Sequence, residues 1–257
     1  MAGCATDGKK KGEAADPQAA HLLELEAAAS AHPADARAQY TLGNAYFDAQ
    51  RYADARGAYQ RATEIEPDFA DAHTNLGLVH RLEGNLPASI SEYEKALAIA
   101  PGDLVTRRNL AVALATAERL PEAAAQLAEL SSRVPDDLDV VRELATLYRT
   151  LERYSDAEAA YTKLLALSPG EGDAWFALGE CQRAQGNTSG AIISWNRAVA
   201  LNSDYAAAHA ALAVVYTETG DYIRAWRSVR ETQRLGGYMD PMLVSRLQEL
   251  SGQLGPE

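Results

Sequence analysis

The sequence predicts an all-α protein built as an array of similar helical hairpins. Composition is the first reason: the 257 residues include 51 Ala and 30 Leu, nearly a third of the chain, against three Phe and 18 Gly. Such a chain favours helix and is poor in the β-branched and aromatic residues that strands prefer. Spacing is the second reason. Pro33, Pro67, Pro101, Pro135 and Pro169 stand 34 residues apart, Ser203 takes the next place, and Pro87 and Pro121 repeat the interval. Because proline interrupts helices, a constant proline interval is a constant helix interval.

Taken in chain order, residues 1–18 are rich in Gly, Lys, Ala and Asp and read as a flexible tail. Residues 19–35 hold a lead helix, periodic through Leu22, Leu25, Ala28 and Ala29 and closed by Pro33, which reads as half of a degenerate hairpin. Six units follow, at 36–69, 70–103, 104–137, 138–171, 172–205 and 206–239. Position 7 of each is leucine: Leu42, Leu76, Leu110, Leu144, Leu178 and Leu212. Position 8 is small (Gly43, Gly77, Ala111, Ala145, Gly179, Ala213), as is position 20 (Ala55, Ser89, Ala123, Ala157, Ala191, Ala225). Position 24 is large: Tyr59, Tyr93, Leu127, Tyr161, Trp195, Val229.

Positions 4, 7, 8 and 11 share one arc of a first helix, and 17, 20, 24 and 27 share one arc of a second. Small residues at 8 and 20 let the two helices approach, while large ones at 7, 11 and 24 fill the space around them. Gly84-Asn85, Gly186-Asn187 and Gly220-Asp221 mark the turn inside three hairpins. Pro87 and Pro121 fall at second-helix starts, where a missing N–H is harmless. The third unit has no aromatic residue and reads as the softest joint; Gly237 stands where the sixth would carry its proline. Residues 240–257 form a cap and tail, with Met242–Leu250 amphipathic through Leu243, Leu247 and Leu250. Ten acids cluster at first-helix starts (Asp35, Asp68, Asp103, Asp136, Asp137, Glu171 and Asp204 in the links; Asp71, Asp139 and Asp173 at position 2), where capping would explain them.

These columns resemble the tetratricopeptide repeat, and the resemblance spans 204 of the 257 residues. It implies a right-handed α-solenoid of six hairpins, flanked by the half-repeat helix and the capping helix. One hairpin cannot bury its apolar faces alone, so stacked neighbours supply the core. The resemblance also implies a non-catalytic scaffold or adaptor whose first helices line a concave groove for a partner peptide or helix, as in an accessory subunit of an assembly complex. A regulatory arm of a separately encoded enzyme is an alternative.

A formal net charge of −12 argues against nucleic acid and against an anionic membrane surface, since phosphate binding rests on Lys and Arg. No apolar run approaches the ~18 residues of a bilayer span. Two cysteines, Cys4 and Cys181, give no disulfide framework and no thiolate-rich metal site. His73 and His209 at position 4 and His80 at position 11 occupy packing positions, and His21 and His32 have no partner pattern. Cys181 at position 10 reads as an inert buried thiol. No phosphate loop, zinc motif or nucleophile elbow is present. The sequence therefore predicts no enzyme, no cofactor and no metal.

Positions 2, 5, 9, 12 and 13 lie opposite the core arc and would face the groove. Asn44 at position 9 and Asn75 and Asn109 at position 6 offer amides, which pair with a peptide backbone without reading its sequence. Arg81, Arg149 and Arg183 share position 12, and Arg108 and Arg142 share position 5; guanidinium rows suit an acidic segment or a C-terminal carboxylate. Arg37 and Tyr40 complete the candidate face. Relatives that clamp a C-terminal carboxylate match at Asn44 and Asn75 but not at Tyr40, Val105 or Asn109. A second account sets the position-12 arginines against the helix dipole, with Asp48, Glu143, Glu180 and Glu218 making the face mixed in sign.

Ala2-Gly3-Cys4 weakly resembles a bacterial lipoprotein processing site, with Cys4 as the lipidated residue. As written, Met1 to Lys11 lacks the apolar run of a secretory signal, which points to the cytoplasm. A periplasmic protein anchored through Cys4 is the alternative.

Overall fold

The computed structural model describes residues 17–252, and all regular structure among them is helical. Cys4 and the rest of residues 1–16 lie outside the described residues, while Pro17 and Gln18, expected in the tail, begin the first helix. No described helix is long and apolar enough to cross a membrane. The chain divides into two compact units, Met1–Ala117 and Glu118–Glu257.

The first unit contains α1 (Pro17–Ala31), α2 (Ala36–Asp48), α3 (Tyr52–Ile65), α4 (Ala70–Leu82), α5 (Leu86–Ile99) and α6 (Leu104–Thr116). Each helix packs on the next in sequence, and α4 also touches α6. Leu22 and Leu25 of α1 pack against a buried cluster of Ala29, Leu42 and Ala58. The second unit contains α7 (Leu120–Arg133), α8 (Leu138–Thr150), α9 (Tyr154–Leu167), α10 (Gly172–Ala184), α11 (Thr188–Leu201), α12 (Ala206–Glu218), α13 (Tyr222–Arg234) and α14 (Pro241–Ser251). Consecutive helices pack here too, ending with α14 on α13. Leu247 is fully buried and the Trp226 indole donates to Ser251 Oγ at 3.1 Å. Leu250, expected in that seam, is instead exposed, and Val244 packs in the core.

Small-against-large packing holds the hairpins together. All six position-20 residues are fully buried, and no position-24 residue exceeds 5% exposure. A methyl group added at Gly43 would lie 2.5 Å from the Tyr59 ring, and one at Gly77 would lie 2.8 Å from Tyr93; at Gly179 it would collide with Trp195. At these three hairpins glycine at position 8 is thus what makes room for the ring, whereas the fourth packs Tyr161 in one buried cluster with Ala145.

The hairpin turns use two chemistries. Gly84, Gly186 and Gly220 take positive φ, and the next residue caps the second helix: Asn85 accepts from Ala88 N, Asn187 from Gly190 N and Asp221 from Arg224 N. The other three hairpins place Gln50, Glu118 and Glu152 at positive φ, a conformation that strains a residue bearing Cβ. Each is followed by an arginine paired with an acid three residues on: Arg51–Asp54, Arg119–Glu122 and Arg153–Asp156.

Acidic capping is only partly realised. Asp35, Asp103 and Asp137 accept backbone N–H groups at the starts of α2, α6 and α8. The corresponding residues of α4, α10 and α12 are Phe69, Glu171 and Tyr205, and none makes a side-chain cap. Glu171 and Asp204 pair with arginines instead.

Position 4 has a task beyond packing. Its side-chain N–H reaches back to the carbonyl that follows the preceding helix: His73 to Pro67 at 2.9 Å, Arg107 to Pro101 at 2.8 Å, Trp175 to Pro169 at 3.0 Å and His209 to Ser203 at 3.0 Å. Three residue types converge on one bond because the need is a donor of the right reach, satisfying a carbonyl left outside the helical ladder.

Candidate peptide-binding face

In the first unit, α2 and α4 place Tyr40, Asn44 and Asn75 side by side, all half-buried. The Tyr59 hydroxyl, rising from α3, donates to Asn44 Oδ1 at 2.7 Å, and Asn75 Nδ2 donates to the same oxygen at 3.0 Å. Asn75 Nδ2 also reaches the Tyr40 hydroxyl at 3.2 Å. Tyr40 lies against Phe69 and Tyr59, with ring centroids 4.9 and 5.8 Å away. Burial pushes the proton affinity of Tyr59 upward, so its O–H stays a donor. Each amide has one end committed and, among the described residues, the other end open, Nδ2 of Asn44 and Oδ1 of Asn75. A donor and an acceptor held side by side are the two groups an extended backbone offers in return.

Farther along this unit, Arg81 is half-buried on α4 beside Tyr93, and Arg108 and Asn109 are half-buried on α6. Arg37 is exposed at the start of α2.

In the second unit the row arginines meet carboxylates. Arg142 donates through Nε and Nη2 to the two oxygens of Glu171, at 3.1 and 2.8 Å, and through Nη1 to Asp139 at 2.6 Å. This pairing holds the Glu171 carboxyl below the usual range. Arg149 donates to Glu180 at 2.8 Å and Arg183 to Glu218 at 2.5 Å. The Arg142–Glu171 and Arg149–Glu180 pairs border a hollow lined also by Thr146, Tyr161 and Phe176. Nearby, the Tyr205 phenol is pushed up to about 12, by burial first and then by its hydrogen bond to Asp173. Three of the five row arginines are thus neutralised within their own unit.

Histidines and Cys181 fall where packing put them. His73 bonds Glu92 at 2.6 Å through Nδ1 in addition to the Pro67 carbonyl, and burial lowers the proton affinity of His80. Burial pushes the Cys181 thiol up to about 11, far from a thiolate nucleophile. Among the described residues no group of three or more His, Cys, Asp or Glu side chains could hold a metal ion.

Two family models, both described as tetratricopeptide repeat, match the chain: one over residues 13–68, 40–103 and 142–203, the other over 80–147. The chain belongs to the tetratricopeptide repeat family. No curated protein matches it in sequence. Among solved structures, YrrB, titled as a TPR protein with an unusual peptide-binding site, aligns with TM-score 0.62 and 18% identity over 72% of this chain and 95% of its own. The C-terminal part of a TPR repeat-containing protein from Cytophaga hutchinsonii aligns with TM-score 0.67 and 14% identity, over 90% of this chain and 94% of its own. MamA from Desulfovibrio magneticus gives 0.57 and 15%, over 65% and 94%. At such identities these tetratricopeptide structures establish the all-α solenoid class and nothing finer.

As a tetratricopeptide repeat protein, the chain is a protein-interaction scaffold. The sequence alone did not reveal the amide–phenol cluster as a unit, because Tyr59 reads as core and Tyr40 as surface. Asn44 was the available signal: a position-9 amide lying within reach of the position-24 phenol of its own hairpin.

Proposed function

We propose that this tetratricopeptide repeat protein holds an extended segment of a partner protein on the first-helix face of α2, α4 and α6, as a non-catalytic adaptor. The observation that supports this most strongly is the Tyr59–Asn44–Asn75–Tyr40 cluster. Its internal bonds fix two amides with a donor and an acceptor left open, so little side-chain freedom remains to be lost on binding. YrrB carries a peptide-binding site by its title, which makes a peptide a reasonable ligand for this fold. The Arg–Glu ladder of α8, α10 and α12 serves the scaffold, stitching neighbouring repeats together.

Fluorescence anisotropy with a labelled pool of degenerate nonapeptides, amidated at the C-terminus, tests the reading. Asn75→Ala removes an open acceptor while leaving Tyr59 bonded to Asn44, and should weaken binding about five- to tenfold, the worth of one or two hydrogen bonds. Arg183→Gln should leave binding unchanged. Equal binding by Asn75→Ala and wild type would overturn the assignment of the face.

A further inference from the structure

Position 12 of the repeat offers an internal comparison. In the second unit Arg149 stands beside Tyr161 of its own hairpin, and its outer edge is closed by Glu180, 31 residues ahead on the next first helix. Arg183 is closed in the same way by Glu218, 35 residues ahead. In the first unit Arg81 occupies the same position and stands beside Tyr93, the counterpart of Tyr161. The places 31 and 35 residues ahead of it are Val112 and Thr116. Val112 is 39% exposed, and the Thr116 hydroxyl is spent on the Val112 carbonyl of its own helix.

Arg81 therefore has the setting of Arg149 without the carboxylate. It forms no ion pair among the described residues; what it stands against is the Tyr93 phenol of its own hairpin, as Arg149 stands against Tyr161. The nearest acid in sequence, Glu83, is taken by Arg56 at 2.6 Å. Asp103, at the start of α6, is taken by Val105 N and the Thr106 hydroxyl. The chain itself thus displays the matching ligand: in the second unit a glutamate side chain fills the place that is empty beside Arg81.

Resting on the peptide-binding reading above, we propose that Arg81 anchors an acidic side chain, Asp or Glu, of the bound segment, which takes beside α4 and α6 the place Glu180 takes beside α8 and α10. A guanidinium already flanked by a buried ring offers a fixed fork to the carboxylate, and charge-assisted bonds of this kind are the strong ones. Val105 and Val112, exposed on the face of α6 that also carries Arg108, supply no carboxylate to the site.

The test uses three labelled nonapeptide pools: one with a fixed central Glu and an amidated C-terminus, one with Gln in that place and amidated, and one with Gln and a free C-terminal carboxylate. Wild-type protein should bind the Glu pool about tenfold more tightly than the amidated Gln pool, the value of one charge-assisted bond. Arg81→Gln should abolish that preference, binding the Glu and amidated Gln pools alike. Val112→Glu, which supplies the missing carboxylate from within, should abolish it as well with Arg81 intact. A preference for Glu that survives both substitutions, or no preference in wild type, would overturn the proposal while leaving the binding face standing. Tighter binding of the free-carboxylate pool than of the Glu pool would overturn it in favour of a chain terminus. Binding of no pool would overturn the face as well.

Discussion

The face of α2 and α4 and the face of α8, α10 and α12 are built from the same repeat positions, yet they do opposite things with their polar groups. On the first, neutral amides and phenols bond among themselves and keep one donor and one acceptor open. On the second, Arg149 and Arg183 meet glutamates of the next repeat, and Arg142 meets Glu171 at the end of its own. The lesson is that groove arginines in a repeat array do not by themselves mark a ligand site. What matters is whether the next repeat supplies the acid.

The largest effect should come from breaking the amide cluster. Asn44→Ala removes the acceptor of Tyr59, a residue 1% exposed, and leaves its buried O–H with no acceptor. A loss of about 1–3 kcal/mol in urea unfolding is expected, and a loss under half of that would mean that water reaches Tyr59.

An intermediate effect should come from the ladder, through pH. The Glu171 carboxyl is held low, first by its hydrogen bonds to Arg142. A depressed carboxyl contributes stability that is complete above its unfolded value of 4.5 and is lost as pH falls through the folded value. Stability should therefore drop as pH falls below that value, and Glu171→Gln should flatten part of the drop. Identical profiles for the two proteins would contradict the pairing.

The smallest effect should follow Arg183→Gln. This pair is exposed on both sides, and such pairs are worth ~0–1 kcal/mol and weaken with salt. A change in unfolding midpoint that persists in high salt would show that Arg183 packs rather than pairs.

How legible these two faces were in the sequence follows from the physics of each. Residues compared within a column, such as Leu42 with Leu76 or Gly43 with Gly77, were readable because every hairpin solves the same packing problem. The Gly-Asn and Gly-Asp turns were readable because positive φ selects glycine, whereas Gln50, Glu118 and Glu152 reach the same geometry with no such signal. The arginine pairs were hidden by the period itself. Alignment at 34 compares like positions, while the pairs join residues 29, 31 and 35 apart, across columns. Position 4 was hidden by chemistry: His73, Arg107, Trp175 and His209 share a donor and a reach, not a residue type. Acids in the links were over-read as caps, since Glu171 and Asp204 serve arginines instead.

The most direct test of the contrast between the two faces is a nitrogen–proton NMR titration of the whole chain with the degenerate amidated nonapeptide pool. The side-chain amide signals of Asn44 and Asn75, with backbone signals of α2, α4 and α6, should shift in a saturable way, while those of α8, α10 and α12 stay in place. Saturable shifts centred on Arg149, Glu180 and Arg183, with Asn44 and Asn75 unmoved, would contradict the account.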